Sequence, residues 1–440
     1  MKRGKGWRIG FCFVALMLLL PTTTGYAAAE LTEVPYPMDS SNQAGWWSPL
    51  DTYGTGYEYA YMAYNAPGST AGMHTVYIAR RDGTGAWSNI PVMNGSVVAE
   101  YQDDVGHNQP SIARDGSGRF HVFASMHDNT WRYFRSDTVG GAPQNHSADM
   151  PGPDMKISYP IVKTAPNGDL YLFARVAKDL AGKREGVLFH WDNAASTWSQ
   201  IGVIASTLNR SVYPDDLAFD ANGDMHILFE WAHFAASALR HELSYLKYSP
   251  ATGVFTKADG TPVSIPATLT TADIVQPLAP GETYVQSGDD PGGPGVQSAK
   301  LTIDSAGRPI IAYRYREAGS ANFAVKQATY GAEGWELQTV YDAAATRAAV
   351  DVTWTGTEAR IYYVKQSGTD RAFVAVNSGG TGWTETSLAP GKPIERLAVE
   401  RSAKGVDILY LVDPESQALL RQELLKQKIQ KLLDGCPRAF

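Results

Sequence analysis

Two histidines stand at the ends of the stretch GHNQPSIARDGSGRFHVFASMH, His107 and His127, twenty positions apart. An imidazole titrates near neutral pH and can give or take a proton, so a pair of them is a candidate acid and base. Matching places further along carry Tyr159 in ISYP, Arg175 at the end of LYLFAR, and Arg210 with Tyr213 in RSVYP. A phenol exchanges a proton when its pKa is moved, and a guanidinium holds a carboxylate in a planar fork. This set suits elimination from a uronic acid. Arg175 pairs with the carboxylate and stabilises the charge that spreads onto it as the α-proton leaves. One of His107, His127 or Tyr159 removes the proton at C5, and another protonates the oxygen leaving C4.

Nothing local joins these residues, so the architecture has to. A turn rich in Gly, Asn or Asp leads repeatedly into an apolar, aromatic and β-branched strand: GYEYAYMAY from Gly56, GRFHVFASM from Gly118, GDLYLFARV from Gly168 and GDMHILFEW from Gly223. GRPIIAYRY from Gly307, EARIYYVKQ from Glu358 and GVDILYLVD from Gly405 complete seven copies. Shorter strands of the type PSIARD or DLAFDAN precede them, and Trp-bearing stretches such as GAWSNI and STWSQIG follow as outer strands. Four short antiparallel strands per repeat predict an all-β chain, a seven-bladed β-propeller over residues 30–425. In that fold, residues ahead of one strand and at the end of the next converge on one mouth, which brings His107, His127, Tyr159 and Arg175 together. A Pro-, Gly- and Thr-rich excursion before Gly295 reads as loops on a binding face or as decoration. Residues 426–440 carry an apolar stripe at helical spacing and predict a helical tail.

Residues 1–29 have a basic start, an apolar run from Phe11 to Leu20 and small residues at Ala27 to Ala29, the layout of a secretory signal. The mature protein is therefore expected to be secreted or periplasmic. Losing Lys2, Arg3, Lys5 and Arg8 takes the formal charge from −7 to −11, which argues against a nucleic-acid or membrane-surface partner. Cys436 is the one cysteine outside the leader, so no intrachain disulfide framework is available. A monomer is expected, with a dimer through the tail as the alternative.

The runs HNQPSIARDGSGRFHVFASMH, WRYFRSD, ISYP, GDLYLFARVA, VYPDDLAFDANGDMHILFEW and LSYLKYSPATG resemble the BNR-repeat-like polysaccharide lyases, among them the ulvan lyases and the rhamnose-glucuronate lyases. The resemblance covers about residues 100 to 330. It implies a seven-bladed propeller with His107, His127, Tyr159 and Arg175 at the catalytic mouth, Tyr213 as a substrate contact, and an anionic polysaccharide as substrate. Asn108 and Arg210 complete the expected substrate contacts. The chain departs from the family in two places. Several relatives hold a structural metal on cysteine and histidine, but no cysteine lies near His226, His233 and His241, and their spacing is no zinc motif. Ala232 stands where relatives have an arginine after Glu-Trp. No cofactor is required for the chemistry, and the sequence gives no support for a structural calcium or zinc ion.

Two other readings share the architecture. A sialidase-like glycoside hydrolase would need a Tyr–Glu couple and three arginines around a carboxylate, and no motif places such a triad. A non-catalytic carbohydrate-binding propeller would use the same polar side chains only to hydrogen-bond a ligand.

Overall fold

The structure is a computed structural model. It describes residues 31–424 apart from 43–44, 46, 54–59, 105–106, 178–182, 236–238, 285–292, 345–349, 370, 378–381 and 414–417. The leader at 1–29 and the tail at 426–440 lie outside the described residues. Among the described residues there is no α-helix, only a 3-10 turn at Ser147–Asp149.

Every repeated stretch read from the sequence is a strand: Tyr61–Pro67, Phe120–Phe123, Leu170–Ala177, Met225–His233, Pro309–Arg316, Ala359–Val364 and Asp407–Asp413. Each pairs antiparallel with a strand just before it. Several of the turns between them share one device, in which a polar side chain, often an aspartate, caps its own loop. Asp115 Oδ1 accepts the amides of Ser117 and Arg119, and Asp220 Oδ1 those of Asn222 and Asp224. Gly168 shows why glycine is needed there. It sits at φ +91°, and a Cβ would lie 2.6 Å from the Gly116 Cα of the neighbouring turn.

The first strands of the groups are Leu50–Asp51, Ser111–Arg114, Lys156–Thr164, Arg210–Phe219, Gly295–Ile303, Val350–Trp354 and Arg396–Arg401. Each touches the next, and the last touches the first, so they form a closed ring. Neighbours in this ring are joined by short polar side chains. Ser111 hydroxyl donates to the Pro160 carbonyl at 2.7 Å, and Asp216 Oδ2 accepts the Leu301 amide at 3.0 Å. Asp351 Oδ2 takes the Val399 amide at 2.6 Å. The ring is sealed by Leu31–Glu33, which pairs with Ala418–Leu424 at the far end of the chain.

Between groups the faces are apolar and close-packed. Phe173, Leu188, Phe229, Trp231 and Leu246 fill one such layer, each fully buried, and each is worth roughly 1.5–3 kcal/mol against exposure. The excursion before Gly295 is partly structured. Its strand Asp273–Gln276 pairs with His241–Ser249, and Glu282 reaches back to His241.

Candidate active site

The site begins with a loop that folds back on itself. Asn108 Oδ1 accepts the Asp104 amide, and the Asn108 carbonyl accepts Asn65 Nδ2 at 3.0 Å. One residue earlier, Asp103 accepts His74 Nδ1 at 2.7 Å, while His74 Nε2 meets Ser125 Oγ at 2.5 Å. The buried His74 therefore ties the loop carrying Asp104 and His107 to the segment carrying His127. The short strand His127–Asn129 pairs with Lys156–Thr164, setting His127 opposite Ser158 and beside Tyr159.

Asp104 then holds both histidines. Its two oxygens lie 2.9 Å from His107 Nδ1 and 2.9 Å from His127 Nδ1. An ionised carboxylate only accepts, so each Nδ1 carries a hydrogen, and in the neutral ring Nε2 is the atom that keeps its lone pair. The rings stack with centroids 3.8 Å apart and planes 6° from parallel. Burial, followed by the neighbouring His107, pushes the His127 pKa down, with Asp104 working against it. Burial raises Asp104, but the hydrogen bonds from the two imidazoles outweigh it and hold its carboxyl below the ordinary value. Asp104, His107 and His127 are also close enough to form a metal-binding group. The stacking opposes that use, because imidazole lone pairs lie in the ring planes and parallel planes cannot both contain one ion.

Beside the imidazoles stand two tyrosines. Tyr159 occupies a bulge at φ +53°, and bulges re-aim side chains near sites. Tyr213 lies just before a second bulge, between Pro214 and Asp216. Tyr159 is 6.0 Å from His107, 5.7 Å from His127 and 5.3 Å from Tyr213, ring to ring. Trp47 and Ala232 pack against both tyrosines. The Arg175 guanidinium lies 4.6 Å from the Tyr159 ring and 4.7 Å from that of Tyr213, with Arg240 on Tyr213 at 4.2 Å. Burial pushes Tyr159 up to about 12, despite Arg175. Burial also acts upward on Tyr213, but Arg175 and Arg240 outweigh it and bring its pKa below the ordinary phenol value.

The structure thus brings His107, His127, Tyr159, Arg175 and Tyr213 into one cluster. It places two expected contacts elsewhere. Asn108 is buried, and its side-chain oxygen holds the Asp104 amide. Arg210 stacks on Tyr284 of the excursion, 3.9 Å from the ring centroid, and donates to the Asn209 carbonyl. Sequence reasoning missed Asp104, Arg184, Arg240 and Trp47. The Asp-x-x-His spacing ahead of His107 was a usable signal for Asp104. The others come from positions with no repeated motif. Arg240 stands eight residues past Ala232, where the resemblance implied an arginine. His226 is packed against Tyr245, 2.7 Å from its hydroxyl, and His241 is bound to Glu282. Neither joins His233 in a metal-binding group among the described residues.

An all-β ring of antiparallel groups with an ionisable cluster at one place defines the class. The chain belongs to the BNR repeat-containing family, whose profile matches residues 59–389. No curated protein is matched by the chain. Among solved structures it is similar to a polysaccharide lyase of family PL25, an ulvan lyase, at 15% identity with a TM-score of 0.62, covering 89% of this chain and 96% of that one. The same ulvan lyase bound to -[GlcA(1-4)Rha3S]- matches equally well. The polysaccharide lyase Uly1 is 16% identical with a TM-score of 0.61, covering 94% of each chain. At these identities the likeness is one of fold.

Proposed function

We infer that this protein is an exported polysaccharide lyase that cleaves uronic-acid-containing polysaccharide by β-elimination, on a seven-bladed propeller whose blades are the groups described above. The observation that carries the reading is the Asp104-held histidine pair beside Tyr159, Tyr213 and Arg175. His127, kept neutral by its lowered pKa, is the base. Its Nε2 takes the proton from C5 of the uronate, and the electron pair of that bond forms the C4=C5 double bond. The C4–O bond breaks, and its oxygen takes a proton from Tyr159, whose raised pKa keeps the hydroxyl protonated at neutral pH. Arg175 receives the carboxylate and stabilises the charge that builds there. Its contact with Ser158 leaves buried donors of Arg175 over, and a carboxylate oxygen would satisfy one of them. Similarity to ulvan lyases, one holding a glucuronate-rhamnose oligosaccharide, favours ulvan or a related rhamnose-glucuronate polymer as substrate.

A second reading has one observation in its favour. Arg175, Arg184 and Arg240 surround the tyrosines, and Tyr213 faces Glu230 across paired strands, as a sialidase-like hydrolase would require. Glu230 is fully buried with Arg240 3.7 Å away, so its carboxylate is already matched to a cation of the protein. The deciding experiment incubates the protein with ulvan and other glucuronate polymers. A rise in ultraviolet absorbance from the conjugated double bond supports elimination. New reducing ends without that rise mean hydrolysis, and neither means a binding protein.

A further inference from the structure

Arg175, the guanidinium assigned to the carboxylate, is only 1% exposed. A second guanidinium stands nearer to solvent on the same approach. Arg184, at 17% exposure, donates from Nη2 to Asp128 Oδ2 at 2.7 Å. The other oxygen of Asp128 accepts the Ser158 hydroxyl at 3.1 Å and lies 3.9 Å from Arg175 Nη2. Ser158 is in turn a partner of Arg175 Nη2 at 3.2 Å. Asp128 therefore sits between two guanidiniums, 35% exposed, immediately after His127. Its backbone is at φ +57°, a left-handed conformation that few residues other than glycine adopt and that asparagine and aspartate tolerate best.

We propose that Arg175 and Arg184 together form the cradle for the uronate carboxylate, and that Asp128 is a tethered carboxylate that occupies this cradle until substrate displaces it from Arg184. The proposal deepens the lyase reading and rests on it for the identity of the ligand. Two cations against one anion leave a single positive charge, which is what one uronate neutralises. Arg184 is then the residue that makes a uronate preferred over a neutral sugar. Its main effect is on binding, because it meets the carboxylate before and during the reaction alike, whereas Arg175 is buried against the tyrosines that surround the reacting centre.

The test compares wild type with Arg184→Gln, Arg184→Lys and Asp128→Asn in the absorbance assay on ulvan. Thermal melting confirms that each variant is folded. Arg184→Gln should raise KM about tenfold or more and change kcat less than about threefold, in line with loss of one charge-assisted contact. Arg184→Lys should fall between, since it keeps the charge and loses the fork. Asp128→Asn keeps the backbone tolerance and removes the competing charge, so its KM should fall severalfold. A KM for Arg184→Gln within twofold of wild type, or a raised KM for Asp128→Asn, overturns the cradle while leaving the lyase reading intact. Titration of wild type and Arg184→Gln with free glucuronate, followed by NMR, separates the two ideas further. Wild type that makes no unsaturated product yet binds glucuronate more tightly than Arg184→Gln keeps the cradle and ends the lyase reading. Equal glucuronate affinity in the two proteins ends the cradle.

Discussion

His107 and His127 stack face to face, 3.8 Å between ring centroids, with both Nδ1 atoms on the single carboxylate of Asp104. Two imidazoles sharing one acceptor cannot rotate independently, so each presents its Nε2 in a fixed direction. The carboxylate thereby orients the pair and sets which nitrogen is basic.

Asp104→Asn should therefore lower kcat/KM about tenfold or more, as expected when a base loses the group that orients it. Asp104 raises the His127 pKa against the effect of burial, so its removal lets that pKa fall further. The acid limb of the pH–rate profile should move to lower pH, and an unmoved limb would show that His127 is not the titrating base.

Replacing His127 or Arg175 by alanine should abolish measurable turnover with the circular dichroism spectrum unchanged. Loss of a general base alone is worth about 100-fold to 10,000-fold. Near-normal absorbance change with either variant would contradict the assignment.

Tyr159→Phe keeps the ring that packs against Trp47, Tyr213 and the Arg175 guanidinium and removes only the hydroxyl. The melting temperature should hold while kcat drops about 100-fold through loss of the proton donor. A variant as fast as wild type would move the acid role to another residue.

Stability should carry the mark of the buried carboxyl of Asp51, which burial pushes up to about 7 although the Tyr53 amide and Lys163 oppose it. Between its ordinary value near 3.8 and about 7 the folded protein keeps a proton that the unfolded chain has lost. Its contribution to stability therefore declines as pH rises through that window and is flat above it. Asp51→Asn should stabilise the protein by more than about 1 kcal/mol at pH 8 and much less at pH 5, read from urea unfolding. Equal gains at both pH values would refute the account.

The repeats were legible because each turn announces its strand. Asp115 and Asp220 cap loops of the same form, and the apolar strand that follows begins at a fixed offset. His107, His127, Tyr159 and Arg175 were found because they hold equivalent places in successive repeats, and position within a repeat survives folding. Asp104 acts only once its loop has turned back through Asn108 and Asp103, which no periodicity records. Arg184 and Arg240 reach the site from the starts of later strands, and Tyr284 reaches Arg210 from a long excursion whose path the sequence does not specify.

The pairing of Leu31–Glu33 with Ala418–Leu424 means that the first and last described strands are woven into one sheet. Such a clasp cannot fasten until its second half, Ala418–Leu424, has been made. His107, His127, Tyr159 and Arg175 all precede that segment in the chain. Deleting Leu31–Glu33 would therefore act at a distance, loosening a hoop without removing His107, His127, Tyr159 or Arg175.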